Sequence, residues 1–216
     1  MKIELENVKP RDIERRSFEI ITEELGEKNA QLIPGTELIV KRCIHTSADF
    51  DYADNLCFSE DVVNKALEAL KAGESIVTDT RMAWSGINKK TLNRLGGEAY
   101  CFMSDDDVAA AAKERGITRA AVCMEKAATL PGHPIIAVGN APTALVRLRE
   151  MIDEGQISPS LIIGVPVGFV NVVQSKELVM EQDKVPYIVA KGRKGGSNIA
   201  ACICNALLYL IDNSRA

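Results

Sequence analysis

The residues with the clearest chemical potential form one segment, Lys191-Gly192-Arg193-Lys194-Gly195-Gly196-Ser197-Asn198, in which three cations and three glycines precede an apolar helical pattern. Backbone amides, the helix dipole and side-chain charge can converge there on an anion. A solvated basic loop is the plainer alternative. The segment is neither a Walker loop nor a dinucleotide fingerprint, because both of those glycine spacings are missing. A second candidate is His45, in Lys41-Arg42-Cys43-Ile44-His45-Thr46-Ser47-Ala48-Asp49, where an apolar run gives way to polar residues. An imidazole titrates near neutrality and can give a proton or a strong hydrogen bond to a reacting group; a structural or capping histidine is the bland alternative. The other histidine, His133, sits between two prolines in a turn, which favours a structural role. Two histidines so differently placed do not suggest a metal centre.

Two further segments carry glycine at the end of an apolar run. Val138-Gly139-Asn140-Ala141-Pro142-Thr143 reads as a β-to-α turn whose free amides attract anions, or simply as a well-made turn. Gly164-Val165-Pro166-Val167-Gly168-Phe169-Val170 offers an apolar surface open to close approach, suited to a flat ring. Lys176 follows, within reach of a carboxylate unless it is merely solvated.

These residues need elements to position them. Leu38–Ile44, Ile76–Val77, Ala99–Met103, Ile135–Val138, Leu161–Val165 and Pro186–Ala190 read as short apolar strands. Helical patterns are expected from Ser59 as N-cap through Leu70, and from an approximate Ser104/Asp107 capping box over Val108–Arg115. Others are expected over Arg119–Leu130, Pro142–Ile152, Asn171–Gln182 and Ser197–Ile211, with Asp79-Thr80-Arg81-Met82 as a loop. The alternation implies one α/β domain spanning 1–216, a doubly wound, mostly parallel sheet with helices on both faces. Residues 1–35, with Pro10 at a helix start and an apolar stripe of Ile13, Phe18, Ile20, Ile21 and Leu25, are expected to form a helical arm packed outside it. In such sheets ligands bind beyond the carboxyl ends of the strands, where the segments above fall.

The whole chain sets the outer bounds. Its 216 residues, 46% hydrophobic and 26% charged, can bury a sizeable core. A net charge of -4 argues against nucleic acid as a partner. No apolar run approaches the roughly 20 residues that span a bilayer, and the first residues lack a signal-peptide core, so a cytoplasmic location is expected. The six cysteines, Cys43, Cys57, Cys101, Cys123, Cys202 and Cys204, have no ligand-like spacing and read as structural thiols. The segments together imply a large ligand bearing carboxylates or phosphates.

In order along the chain, Arg42–Asp49, Asp79–Met82 with Gly86-Ile87, Val138–Leu145, Gly164–Val170, Ser175-Lys176 and Gly192–Ser197 resemble the precorrin-8X (cobalt-precorrin-8) methylmutase family. Trp84 is unusual within its loop. The resemblance implies an isomerase of cobalamin biosynthesis, which moves a methyl group from C11 to C12 of a corrinoid ring by a [1,5]-sigmatropic shift. The product would be hydrogenobyrinic acid, or cobyrinic acid if the substrate holds cobalt. It implies that His45 protonates or hydrogen-bonds a ring nitrogen or neighbouring position. No cofactor, methyl donor or protein metal site is needed. It also implies a homodimer with sites near the interface. Arg42, Arg81, Lys176, Arg193 and Lys194 then become candidate partners for the ring's acetate and propionate arms. Thr46, Asn140, Thr143, Gly168, Phe169 and Ser197 become candidate contacts to the same substrate. A corrinoid carrier without turnover, and an α/β enzyme acting on a phosphorylated metabolite through Gly192–Ser197, are the competing readings.

Overall fold

A computed structural model describes residues 5–212. Six strands form one sheet: β1 (Leu56–Phe58), β2 (Ile76–Thr78), β3 (Ala99–Tyr100), β4 (Ile135–Val138), β5 (Leu161–Gly164) and β6 (Tyr187–Ala190). Their order is β1-β6-β5-β4-β2-β3; all pair in parallel except β1, which runs antiparallel along β6. The expected doubly wound α/β architecture is therefore present.

The strands alternate their side chains between two cores. Ile135, Ala137, Leu161, Ile163, Ile188 and Ala190 point to one face, and Ile136, Val138, Ile162 and Val189 to the other. Both sets are apolar because both faces are covered by helices. The first face receives α1 (Ile13–Glu27), α2 (Glu37–Ser47), α4 (Val62–Lys71) and α11 (Ser197–Asp212). The short helix α3 (Tyr52–Asn55) joins α2 to β1. The second face receives α7 (Asp106–Arg115), α8 (Arg119–Ala127), α9 (Pro142–Asp153) and α10 (Val172–Met180). After β2 come two six-residue helices, α5 (Arg81–Gly86) and α6 (Lys89–Arg94).

The principal departure from the sequence reading is Leu38–Ile44, which is not a strand but the middle of α2. Its buried residues, Ile39, Val40, Cys43 and Ile44, recur at helical spacing and face α11. Packing of that stripe overrides the β preference of a run of branched residues. The edge strand β1, absent from the sequence expectation, is only three residues long and begins straight after α3. Ala99–Met103 is a strand for two residues only, then turns into a 3-10 segment, Phe102–Ser104.

Three caps also differ from expectation. Ser59 does not cap α4, whose N-cap is Asp61; the Ser59 hydroxyl instead accepts from Tyr187 N–H at 2.9 Å and ties β1 to β6. The capping box at Ser104 is absent, since Asp105 is the N-cap of α7 and Asp107 pairs with Lys126. Within Asp79–Met82, only Asp79 and Thr80 are loop; Thr80 caps α5, accepting from Ala83 N–H at 3.1 Å.

Residues 1–4 of the expected arm lie outside the described residues. Its helix, α1, docks on α2 through Phe18, Ile21 and Leu25, while Ile13 and Ile20 of the expected stripe face outward. Arg42 completes this contact. It is buried, pairs with Glu14 at 3.0 Å, and lays its guanidinium over the rings of Phe18 and Tyr209.

Candidate active site

Strands β2, β4, β5 and β6 are parallel, so Asp79, Gly139, Val165 and Lys191 leave the sheet along one edge. The amino end of α11 lies on the same edge. Thr80 and Ser197 share a hydroxyl hydrogen bond of 2.8 Å, and a Cβ at Gly139 would lie 2.7 Å from Ser197 Cα. Gly196 N–H donates to the Val165 carbonyl at 2.8 Å, and Gly168 N–H donates to the Arg193 carbonyl at 3.2 Å. Gly195 has φ of 154°, and a Cβ there would fall 2.1 Å from the Val165 oxygen. Only glycine allows these backbones to touch in this way.

Two buried, oppositely charged side chains hold the loops from beneath. Asp79 is 1% exposed, and its carboxylate accepts from Gly139 N–H at 2.8 Å, Asn140 N–H at 2.8 Å and Ala141 N–H at 2.7 Å. Burial pushes its carboxyl above the usual range, while those three amides pull in the opposite direction. The start of α9 has no side-chain cap, and Asp79, at the end of the neighbouring strand β2, instead holds the turn just ahead of the helix. Three amides of the turn expected to be open to an external anion are thus already occupied.

Lys176, expected to reach a substrate carboxylate, is instead fully buried. Its Nζ donates to the carbonyls of Gly192 and Lys194, each at 2.8 Å. Burial lowers its pKa from 10.5 to about 8. The long apolar stem passes through the core and the ammonium pins the glycine-rich loop.

His45 is exposed on the last turn of α2, not at the end of a strand, and its ring centroid lies 5.5 Å from that of Phe18. The helix places it at the loop edge all the same. Beyond its end, Asp49 and Asp51 hold Lys194 at 2.6 and 2.5 Å, and Thr46 Oγ1 donates to Cys202 Sγ on α11 at 3.2 Å. These aspartates raise the pKa of Lys194, chiefly through their hydrogen bonds, and commit its charge within the chain. Arg42 lies buried in the packing of α1, α2 and α11, against the rings of Phe18 and Tyr209.

The remaining candidates differ in availability. Arg193 is exposed over the ring of exposed Phe169, at 5.3 Å, and Arg81 is exposed over Trp84, at 4.8 Å. Trp84 itself is fixed, its indole N–H donating to the Ala99 carbonyl at 2.8 Å. Asn140 is exposed, whereas the Thr143 hydroxyl bonds that of Thr118 at 2.7 Å. Met82, Val167, Phe169 and Val170 add exposed apolar area. The edge therefore combines an imidazole, two accessible guanidiniums and an apolar surface, suited to a broad, partly apolar anion. Asp79, Asp49 and Asp51 were not singled out from the sequence. The only available signal for Asp79 was a carboxylate directly after a buried strand.

The profile of the precorrin-8X methylmutase family matches residues 12–210. A cobalt-precorrin-8 methylmutase of Priestia megaterium is 42% identical over 209 residues, covering 95% of this chain and 90% of its own. One from Salmonella typhimurium is 45% identical over 204 residues, covering 93% and 95%. The crystal structure of a precorrin-8X methylmutase from Thermus thermophilus superimposes with a TM-score of 0.83 at 38% identity, covering 95% of this chain and all of that one.

Two outcomes follow from the buried contacts. Gly195→Ala is expected to lower stability by about 2–4 kcal/mol in urea denaturation, from backbone strain plus overlap with Val165. A loss below about 0.5 kcal/mol, the range of neutral surface changes, would contradict the close approach. For Lys176, the folded amine titrates at about 8 against 10.5 ordinarily, so between those values the unfolded chain binds more protons. Its stabilising contribution is full above the higher value and is lost as pH falls to the lower one. The unfolding free energy of the wild type relative to Lys176→Met should therefore rise from pH 8 to pH 10.5; a flat difference would mean that the amine is not desolvated.

Proposed function

The chain belongs to the precorrin-8X methylmutase family, and from that premise we propose that it isomerises precorrin-8X or cobalt-precorrin-8 through His45. One C–C bond breaks at C11 and one forms at C12, so the methyl group never leaves the substrate and no donor or acceptor is consumed. His45 supplies a proton or hydrogen bond to a ring nitrogen or neighbouring position. Withdrawal of electron density there favours migration, and the proton returns as the more conjugated product forms.

The observation that carries this reading is the exposed imidazole of His45 on the last turn of α2, a helix whose end is tied to the Gly192–Ser197 loop through Asp49 and Lys194 and to α11 through Thr46. On the loops, Phe169 and Val167 offer a surface for the ring, and Arg193 and Arg81 offer charge to its carboxylate arms. Asn140 and Ser197 line the same edge as hydrogen-bonding groups, and Gly168 keeps the backbone low beneath the ring. Thr46 and Thr143 stand beside it, their hydroxyls engaged with Cys202 and Thr118. Lys194, Lys176 and Arg42 act from behind, holding the surfaces that meet the substrate.

The reading includes a homodimer with sites near its interface, supported by the exposed apolar residues Met82, Val167 and Val170 beside the loops. It also includes a cytoplasmic setting, supported by six free thiols. Among the described residues no helix is long and apolar enough to cross a membrane.

The test is anaerobic incubation with each substrate form, cobalt-precorrin-8 first, followed by visible absorption beside a folded His45→Ala variant. The wild type should convert the substrate, with the variant slowed about 10²–10⁴-fold, the range for loss of a general acid. Wild-type turnover by the variant would remove His45 from the chemistry. Binding without conversion of either form would favour a carrier, and binding of neither would reject the corrinoid reading.

A further inference from the structure

In the turn that leads from β4 into α9, three successive N–H groups, those of Gly139, Asn140 and Ala141, converge on one buried point just ahead of the helix. In this chain the anion is internal. Asp79 places one oxygen on Gly139 N–H and the other on both Asn140 and Ala141 N–H. We propose that Asp79 is a positioning residue: filling this cradle from beneath, it fixes the turn and the neighbouring start of α11, and so the register in which the polycarboxylate ring docks. The inference rests on the corrinoid reading for the identity of the ring, but not for the existence of the cradle.

The geometry links the clamp to both neighbouring loops. On one side, Asp79 sets the backbone of Asn140, whose side chain is exposed on the site edge. On the other, the next residue, Thr80, bonds Ser197 at the start of α11, and Gly139 abuts the Ser197 backbone. Asp79 thereby sets two helix starts along one edge, those of α9 and α11. Were the turn to shift, the surface that receives the ring would shift with it and move the reacting carbons away from His45. A displacement of about 1 Å can cost on the order of 100-fold in rate.

Asn is nearly isosteric with Asp but has a single accepting oxygen. In Asp79→Asn the amide NH2 would face the N–H groups of either Gly139 or the Asn140–Ala141 pair, donor against donor. The fold can survive, while the turn must shift. Asp79→Gly empties the cradle and leaves room for formate, a carboxylate with no tether.

The experiment combines turnover with thermal unfolding, in the presence and absence of sodium formate and with sodium chloride as the ionic-strength control. For Asp79→Asn, kcat is expected to fall about 10–100-fold, with no response to formate. For Asp79→Gly, formate should raise the unfolding midpoint and restore activity at least about fivefold, whereas it should do neither to the wild type. The midpoint shift needs no substrate, so it reads the cradle even if the wild type proves inactive on corrinoids; that result would reject the function and leave the clamp standing. Wild-type kcat and KM in folded Asp79→Asn would overturn the inference. So would a formate-stabilised Asp79→Gly whose activity is not restored, because the cradle would then be filled without effect on the chemistry. Absence of any formate effect on folded Asp79→Gly would deny the cradle itself. Should the glycine variant fail to fold, kcat and KM of Asp79→Asn decide the matter.

Discussion

At the carboxyl edge of the sheet, the backbone of Gly195 passes the carbonyl of Val165 with no room for a Cβ between them. Gly139 passes Ser197 in a similar way. Because these crossings are backbone on backbone, the loops after β4, β5 and β6 and the start of α11 form one interlocked layer rather than separate flexible connections. The layer brings many polar backbone groups together at the top of a dry core, and each needs a partner. Asp79 answers three amides and Lys176 answers two carbonyls. Loss of either side chain would strand buried backbone groups.

Most of the basic residues in this region therefore serve the protein before they serve a ligand. Lys176 supports its loop, Lys194 is shared by Asp49 and Asp51, and Arg42 joins α1 to α2 and α11. Arg193 and Arg81, resting on aromatic rings, remain exposed. The long aliphatic stem of Lys176 crosses the core to satisfy carbonyls, whereas the guanidiniums of Arg193 and Arg81 rest on rings at the surface. An acidic chain can thereby present a locally basic edge.

The parallel sheet and the anchoring turns were readable because their signals are local. Ile135–Val138 is a continuous apolar run that cannot be a surface strand, and Pro142 after Gly139 marks the start of α9. The Gly192–Ser197 loop announces itself by composition alone. What escaped the sequence depends on partners far along the chain. Leu38–Ile44 becomes helix because α11 covers one side of it. Lys176 turns inward because carbonyls at positions 192 and 194 await it, and Asp79 acts through amides some sixty residues later. His45 was recognised as chemically apt, yet for a strand end that does not exist. A helix terminus brings it to the same edge.

The most direct measurement of this account is a crystal structure of the chain with its corrinoid product bound. The ring should lie over Gly168 and Phe169, with carboxylate arms on Arg193 and Arg81 and a nitrogen of the His45 imidazole within hydrogen-bonding distance of the ring edge that carries the migrated methyl group. A ring bound on that edge with His45 out of reach, or seated elsewhere on the molecule, would contradict the central claim.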